Sequence, residues 1–123
     1  MFFKSRAKKA ALGQTADMQT ACQLRDGTCL VSVSGRVTTD SSPLLRSLLL
    51  EYVSLAECQN LTVDFAEVVY VDTSGLAVLV EALKAALLKK KTFHLSGLPE
   101  RTRSLLERTG VLHLFNEVRD VPQ

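Results

Sequence analysis

An apolar segment that leads directly into a helix start, residues 68–76, constrains this chain more than any other stretch. Its first four residues are apolar or aromatic, and Asp72, Thr73 and Ser74 then precede a long helical pattern. Unpaired backbone N–H groups and the positive end of the helix dipole lie at such a start, where a phosphate is well tolerated. The segment therefore predicts a strand that delivers two hydroxyl groups to a helix capped by Asp72.

Turn residues and hydrophobic periodicity divide the chain into alternating elements. Asp26-Gly27 between two strand-like runs is typical of a hairpin, and Ser42-Pro43 is typical of a helix start with Ser42 as N-cap. The predicted elements are strands 21–25 and 28–34, helix 42–57, strand 61–65, helix 73–90, strand 92–95 and helix 99–109. This order predicts an α/β fold: a mixed β-sheet with an N-terminal hairpin, parallel βαβ units and flanking helices.

The predicted helix at 73–90 is apolar on more than one face. Its core stripe is predicted at helical spacing and consists of Leu76, Leu79, Val80, Leu83 and Leu87. Val78 and several alanines lie on the other faces, where a surface helix usually carries polar residues. Either the helix is buried on two sides, or part of it contacts a partner.

Loops at the carboxyl ends of parallel strands meet at one edge of a sheet. Three predicted loops belong to that edge, namely 35–42, 66–74 and 96–99. We therefore expect Asp40, Ser96 and Gly97 to lie beside the segment at 72–76.

Length and charge restrict the class of protein. The chain has 123 residues and a formal net charge of +2, and its first nine residues include four basic ones. The remainder carries slightly more acidic than basic groups, so no nucleic-acid-binding face is indicated. Residues 1–17 are predicted to form a flexible basic arm, with peripheral membrane contact through Phe2 and Phe3 as the alternative. The absence of a signal peptide and of an apolar run of about 20 residues predicts a cytoplasmic protein without an integral membrane segment.

The sequence does not indicate metal or nucleophile chemistry. Cys22, Cys29 and Cys58 lack C-x-x-C spacing and are predicted to be small buried side chains rather than zinc ligands or disulfides. A catalytic serine needs a base, but His94 lies in a strand pattern and His113 in the last apolar segment. The glycines and lysine of a phosphate-binding loop are also missing. The chain is therefore predicted to be a non-enzyme that uses no cofactor or metal.

The two adjacent hydroxyls leave two interpretations open. In one, Ser74 or Thr73 accepts a phosphoryl group from a partner kinase, which adds a charge of about −1.5 to −2 at neutral pH. The helix dipole tolerates this anion, whereas a docked partner meets new charge and bulk. In the other, Asp72, Thr73 and Ser74 only cap the helix, and Gly75 allows close packing. Residue spacing alone does not decide between them.

Five segments of the chain are similar to one known family. The most specific is Asp72-Thr73-Ser74-Gly75-Leu76, and the others are 33–37, 61–65, 95–98 and 106–115. The first resembles the Asp-Ser-Ser-Gly-Leu phosphorylation motif of STAS domains, the family of bacterial anti-sigma factor antagonists. The resemblance implies a STAS-like mixed β-sheet with flanking helices over residues 18–119, followed by a C-terminal tail at 120–123.

The resemblance also implies a regulatory cycle in which this chain performs no catalysis. The unphosphorylated antagonist binds an anti-sigma factor that is also a serine kinase, and this frees the sigma factor. Phosphorylation of the motif serine breaks the complex, and a phosphatase resets it. The phosphoacceptor corresponds to Ser74. Thr73 lies where the family usually has a serine before the acceptor, and it is an alternative acceptor. The expected partner-binding residues are Asp72, Thr73, Ser74, Gly75, Leu76, Val78, Asp40, Ser96 and Gly97.

Two further roles within the family stay open. In a second branch, the domain is a subunit of an ABC-type lipid transport complex and binds its ATPase without a need for phosphorylation. Thr73 directly after Asp72 resembles that branch. A stressosome-like scaffold component is the third role. The expected partner is therefore an anti-sigma factor kinase or an ABC ATPase subunit.

Overall fold

The computed structural model describes residues 17–110 and the backbone of residues 116–118. The predicted basic arm up to residue 16, His113 and the tail at 120–123 lie outside the described residues. The described elements are β1 (Met18–Arg25), β2 (Thr28–Val37), α1 (Ser42–Ser54), β3 (Asn60–Val71), α2 (Thr73–Leu88), β4 (Thr92–Ser96), α3 (Glu100–Thr109) and β5 (Asn116–Val118).

The strands form one sheet in the order β1-β2-β3-β4-β5, with β1 antiparallel to β2 and the other neighbours parallel. Asp26 and Gly27 join β1 to β2, and their φ angles of 52° and 82° are those of a tight hairpin turn. The predicted mixed α/β fold is confirmed. The sequence pattern does not predict β5, because its three residues are too few for a recognisable strand signal.

β3 continues without a break over Asn60–Val71, whereas the sequence pattern predicts a loop from residue 66. The register of β2 against β3 shifts in this region, so the ladder is locally irregular. The Asp64 carboxylate accepts a hydrogen bond from the Ala66 N–H at 2.9 Å, which supplies a partner within the irregular stretch. The predicted loop is therefore wrong between residues 66 and 71, whereas the strand predicted to lead into the helix start at 68–71 is confirmed.

The start of α1 differs from the prediction by one residue. Ser41 is the N-cap and Ser42 is the first helical residue, so the predicted cap is wrong. The Ser41 hydroxyl donates to the Arg36 carbonyl at 2.9 Å and accepts from the Thr38 N–H at the same distance. These bonds hold the turn before the helix, and they do not involve the Ser42 side chain.

The far end of α1 is fixed by Lys91, the residue before β4. The Lys91 ammonium donates to the carbonyl oxygens of Val53 and Leu55 at 2.6 and 2.7 Å, and the backbone is extended at Leu55. The helix therefore ends at Ser54, before the predicted position 57. Helical spacing in the sequence predicts a buried stripe of Leu45, Leu48, Leu49, Tyr52, Val53 and Ala56. The first five are buried as predicted, whereas Ala56 lies beyond the helix and is exposed.

α2 begins at the predicted residue but buries a different face. The residues that face the core are Gly75, Val78, Leu79, Ala82, Leu83 and Ala86. Leu79 and Leu83 of the predicted stripe are confirmed in the core, whereas Leu76 and Val80 are half-buried and Leu87 is 57% exposed. The buried face is therefore displaced by about one position from the predicted one. The sequence pattern follows the largest side chains, whereas the small residues let the helix approach the sheet closely. One face is buried, and part of the remaining apolar surface stays accessible.

The core lies between the sheet and the helices and is mainly aliphatic, with Tyr52, Phe65 and Phe93 as its largest fully buried side chains. Cys22, Cys29 and Cys58 belong to it as predicted, each 8% exposed or less. No helix of residues 17–110 combines the length and hydropathy of a membrane span.

Candidate functional site

The carboxyl ends of β2 and β3 lie side by side and bring two helix starts together. Val37 and Val71 are register partners at these ends, and the Asp72 N–H donates to the Val37 carbonyl at 3.0 Å. α1 then begins five residues after Val37, and α2 begins two residues after Val71. The adjacent strand ends therefore position the N-termini of α1 and α2 next to each other.

The Asp72 carboxylate is the centre of the hydrogen bonding at this edge. Its Oδ1 accepts from the backbone N–H groups of Ser74 and Gly75 at 2.9 and 3.2 Å and from the Ser74 hydroxyl at 2.5 Å. Its Oδ2 accepts from the Thr39 N–H at 3.1 Å. Asp72 thus caps α2 as predicted and also ties the turn before α1 to the start of α2.

These donors favour the ionised form of Asp72. The Ser74 hydroxyl is the main cause that lowers the pKa of Asp72, and the backbone N–H groups of Gly75, Ser74 and Thr39 lower it further. Partial burial opposes them without reversing the direction. Asp72 is therefore a carboxylate at neutral pH and a hydrogen-bond acceptor only.

Ser74 and Thr73 differ sharply in their surroundings. The Ser74 side chain is half-buried, donates to Asp72, and lies 3.1 Å from the Ser42 hydroxyl oxygen. Thr73 is exposed, and within residues 17–110 its side chain has no hydrogen-bond partner. Of these two hydroxyls, therefore, the one of Ser74 is held in a defined orientation by hydrogen bonds.

The turn before α1 presents Asp40 at the surface near the motif. Asp40 is exposed, and its N–H donates to the Thr38 hydroxyl at 3.2 Å. The preceding residue, Thr39, is the one that contacts Asp72. The structure therefore brings Asp40 to the same edge as Ser74, as expected from the loop prediction.

Gly75 and Val78 support the site from the core side. A Cβ at Gly75 would lie 2.7 Å from Val71 Cγ1 and 2.8 Å from Val37 Cγ1, so the helix start rests directly on the ends of β2 and β3. Val78 is 6% exposed and packs in the core. Its side chain is therefore not accessible to a partner, in contrast to the sequence-based expectation.

An apolar groove runs beside the motif between α2 and α3. It has a volume of about 330 Å³ and is lined by Thr73, Leu76, Ala77, Val80, Leu105, Leu106 and Thr109. Leu76 is half-buried in its wall. Thr73 at the end of the groove connects it to the hydroxyl site.

Ser96 and Gly97 belong to a different part of the sheet edge. Ser96 is the register partner of Asp64, seven residues before β3 ends at Val71, which corresponds to roughly 20 Å along a strand. Ser96 is 4% exposed, and a Cβ at Gly97 would meet the backbone of Ala66 at 2.6 Å. The expectation that this loop joins the motif is wrong because β3 extends well beyond β4.

Among the described residues, no histidine lies beside Ser74 to act as the base of a catalytic serine. The side-chain partners of Ser74 are Asp72 and Ser42. His94 is the register partner of Thr62, far from the strand end. Within the described part of the chain, no three His, Cys, Asp or Glu side chains are arranged to hold a metal ion.

The sequence prediction missed two residues of this site, Thr39 and Ser42. The signal that identifies them is the pairing of β2 with β3, since helices that follow adjacent parallel strands start beside each other. A serine at the first turn of α1 therefore lies close to the first turn of α2.

Comparison with known proteins assigns the family. A sequence model described as "Mlab, STAS domain" matches residues 20–116. The chain belongs to the STAS domain family. This STAS protein is also 31% identical over 91 residues to the anti-sigma-B factor antagonist of Listeria monocytogenes, a match that covers 74% of this chain and 78% of that relative.

Solved structures share the fold. An anti-sigma factor antagonist from Mycobacterium paratuberculosis has a TM-score of 0.72 and 25% identity over 81% of this chain and 84% of its own. The phosphorylated form of the Bacillus cell fate determinant SpoIIAA has a TM-score of 0.69 over 85% of this chain and 91% of its own. Its identity is 10%, so this second likeness concerns the fold alone.

Proposed function

We propose that this chain is an anti-sigma factor antagonist whose complex with a partner serine kinase is released when Ser74 is phosphorylated. The observation that carries the proposal is the Ser74 hydroxyl, which is half-exposed at the start of α2 and oriented by Asp72. The names of the Listeria and Mycobacterium relatives support the pathway. In this cycle the kinase holds ATP, and the chain acts in the cytoplasm as its binding partner and substrate.

Orientation favours Ser74 over Thr73 as the phosphoacceptor. The Ser74 Oγ is fixed by Asp72 and Ser42, while part of the side chain remains accessible. Positioning of the attacking atom accounts for much of the rate in phosphoryl transfer. Thr73 is accessible but not oriented by such contacts, so it is the slower of the two acceptors.

Phosphorylation reverses the interaction between Ser74 and Asp72. The phosphoryl group replaces the proton that Ser74 donates to Asp72 Oδ1 and adds a charge of about −1.5 to −2 beside a carboxylate. The Ser74 and Gly75 N–H groups still bind Asp72, and the helix dipole favours the anion, so α2 remains folded. Repulsion turns the modified side chain away from Asp72, and its added bulk and charge collide with a bound partner.

The surface that meets the kinase surrounds Ser74. It combines the exposed residues Asp40 and Thr73 with the apolar groove between α2 and α3. An apolar anchor in the groove gives affinity, while the rim around Ser74 controls release. Such a combination of a desolvated centre and a polar rim is typical of transient interfaces.

Binding measurements with an anti-sigma factor kinase from the same genome test the proposal. In the presence of ATP, we expect Ser74→Ala to bind the kinase with the affinity of unphosphorylated wild type. Ser74→Asp should weaken binding by about tenfold or more. Ser47→Asp, at an exposed position of α1, is the matched control and should leave affinity unchanged. Equal affinity of the Ser74→Asp and Ser47→Asp variants would contradict the switch.

A second candidate is a subunit that binds the ATPase of an ABC-type lipid transporter. The apolar surface of α2 favours it, because Leu88 is 86% exposed and most of the side chains that line the groove beside Thr73 are apolar. Binding to an ATPase that does not depend on phosphorylation should tolerate both Ser74→Ala and Ser74→Asp. Capture of such an ATPase by the purified chain, together with failure to bind any kinase, would favour this candidate.

A further inference from the structure

We propose that Ser42, the first residue of α1, is a positioning residue for Ser74. Its hydroxyl orients the unmodified Ser74 side chain and donates to the phosphoryl group once Ser74 is modified. This inference rests on the proposed phosphorylation of Ser74 and adds a residue from outside the motif. It also couples the start of α1 to the state of the switch.

The direction of the bond between the two serines follows from Asp72. Asp72 is ionised, and its Oδ1 accepts a hydrogen bond from the Ser74 hydroxyl at an Oγ–Oδ1 distance of 2.5 Å. Ser74 Oγ therefore has no second hydrogen to donate. Ser42 Oγ lies 3.1 Å from Ser74 Oγ and must therefore be the donor. Two contacts then fix the Ser74 rotamer and leave one lone pair of its oxygen for attack on phosphorus.

Burial makes this donor specific. Ser42 is 5% exposed, so its hydroxyl has little access to water and relies on a protein partner. Ser74 is that partner in the described structure. A serine on the outer face of the helix would exchange its partner with solvent and orient nothing.

The backbone N–H groups at the start of α1 already donate to carbonyl oxygens, or are missing at proline. The Ser42 N–H donates to the Thr38 carbonyl at 2.7 Å, and the Leu44 N–H donates to the Ser41 carbonyl at 3.2 Å. The residue between them, Pro43, has no N–H. The Ser42 hydroxyl is therefore the one directional donor that this first turn can aim at Ser74.

The same donor serves both states of the switch. During transfer, Ser74 Oγ bonds to the γ-phosphorus of ATP, the bond from that phosphorus to ADP breaks, and the hydroxyl proton leaves through Asp72 to solvent. The esterified Oγ is a poor acceptor, whereas the three phosphoryl oxygens are strong ones. Ser42 then donates to a phosphoryl oxygen, on the side away from the Asp72 carboxylate.

A ³¹P titration of a protein with phosphoserine installed at position 74 during synthesis tests this role. Donation from Ser42 stabilises the dianion, so Ser42→Ala should shift the second pKa of the phosphoserine upward by about 0.5 pH units. Ser42→Thr keeps the hydroxyl and should restore the wild-type value. Asp40 and Asp72 are present in every variant, so their charges do not change the comparison.

Ser47→Ala is the control for a serine substitution on the exposed face of α1 and should titrate as wild type. Identical titration curves for wild type and Ser42→Ala would overturn the proposal, as would a Ser42→Thr curve that matches Ser42→Ala. Thermal melts check that each variant is folded. Because the phosphoserine is installed without a kinase, failure of the proposed function would leave this measurement unaffected.

Discussion

At the scale of single residues, Asp72 joins the fold to the proposed switch. One carboxylate oxygen caps α2 by accepting hydrogen bonds from two backbone N–H groups, and it also accepts a hydrogen bond from the Ser74 hydroxyl. Modification of Ser74 therefore changes a contact that the fold already uses. The neighbouring Thr73 has a hydroxyl but no such contact in residues 17–110, which separates the two candidate acceptors.

Removal of the Ser74 hydroxyl should raise the pKa of Asp72. Ser74→Ala deletes the main group that lowers this pKa, while burial and the backbone donors of Gly75, Ser74 and Thr39 are unchanged. A ¹³C NMR titration of the carboxyl carbon measures both pKa values. An unchanged pKa would mean that the hydroxyl does not donate to Asp72.

The sign of the pH dependence of stability follows from the same shift. A lowered folded-state pKa contributes stability above the unfolded pKa of about 3.9, and this contribution is lost as pH falls through the lower value. The free energy of unfolding of wild type should therefore fall more steeply below about pH 4 than that of Ser74→Ala. Urea titrations at several pH values measure this slope, and parallel slopes would contradict the expectation.

Gly75 is required by contact rather than by backbone conformation. Helix propensity alone favours alanine by about 1 kcal/mol, but the added Cβ would lie within 2.8 Å of valine methyl groups on both strand ends. We expect Gly75→Ala to lower the free energy of unfolding by about 1–3 kcal/mol. Ala77→Gly, on the exposed side of α2, should lose about 1 kcal/mol by propensity alone. A gain in stability for Gly75→Ala in chemical denaturation would refute the contact.

At the scale of elements, the local sequence pattern places the helices and strands well and the buried face of α1, but it misplaces the buried face of α2. Capping chemistry predicts the start of α2, because Asp72 acts within its own turn. The buried stripe of α2 is missed because contact with the sheet selects Gly75, Ala82 and Ala86 over larger side chains. The distance of Ser96 from the motif is missed because strand register depends on residues far apart in sequence.

The end of α1 should depend on the side chain of Lys91, the residue before β4. Lys91→Met removes two charge-assisted hydrogen bonds to the Val53 and Leu55 carbonyl oxygens, which should cost about 1–3 kcal/mol of unfolding free energy. Lys84→Met, at an exposed position of α2, is the matched control and should change stability little. Equal unfolding midpoints for the two variants would show that the Lys91 contacts do not stabilise the helix end.

At the scale of the whole molecule, the sheet and helices enclose all three cysteines. Cys22 and Cys29 lie with their sulfur atoms 2.9 Å apart across the hairpin, and Cys58 is fully buried nearby. Hydrogen bonding to Cys22 and burial raise the pKa of Cys29, which suppresses its thiolate. The thiols should therefore report on opening of the fold as a unit.

Thiol labelling measures that opening. We expect a disulfide reagent to react with no cysteine of the native protein at a rate near that of a free thiol, and with all three in denaturant. The native rate should rise in the destabilised Gly75→Ala variant, because opening precedes reaction. Rapid labelling of one cysteine in the native wild type would indicate a local opening that the packed core does not predict.

Phosphorylation of Ser74 by the partner kinase can be tested directly. The chain is incubated with an anti-sigma factor kinase and Mg-ATP, and fragment-ion mass spectrometry then locates the phosphate. We expect a single phosphate on Ser74 and none in the Ser74→Ala variant, while Thr73→Ala is still modified. Phosphate on Thr73 or elsewhere in wild type, or no phosphate with a kinase that binds the chain tightly, would contradict this expectation.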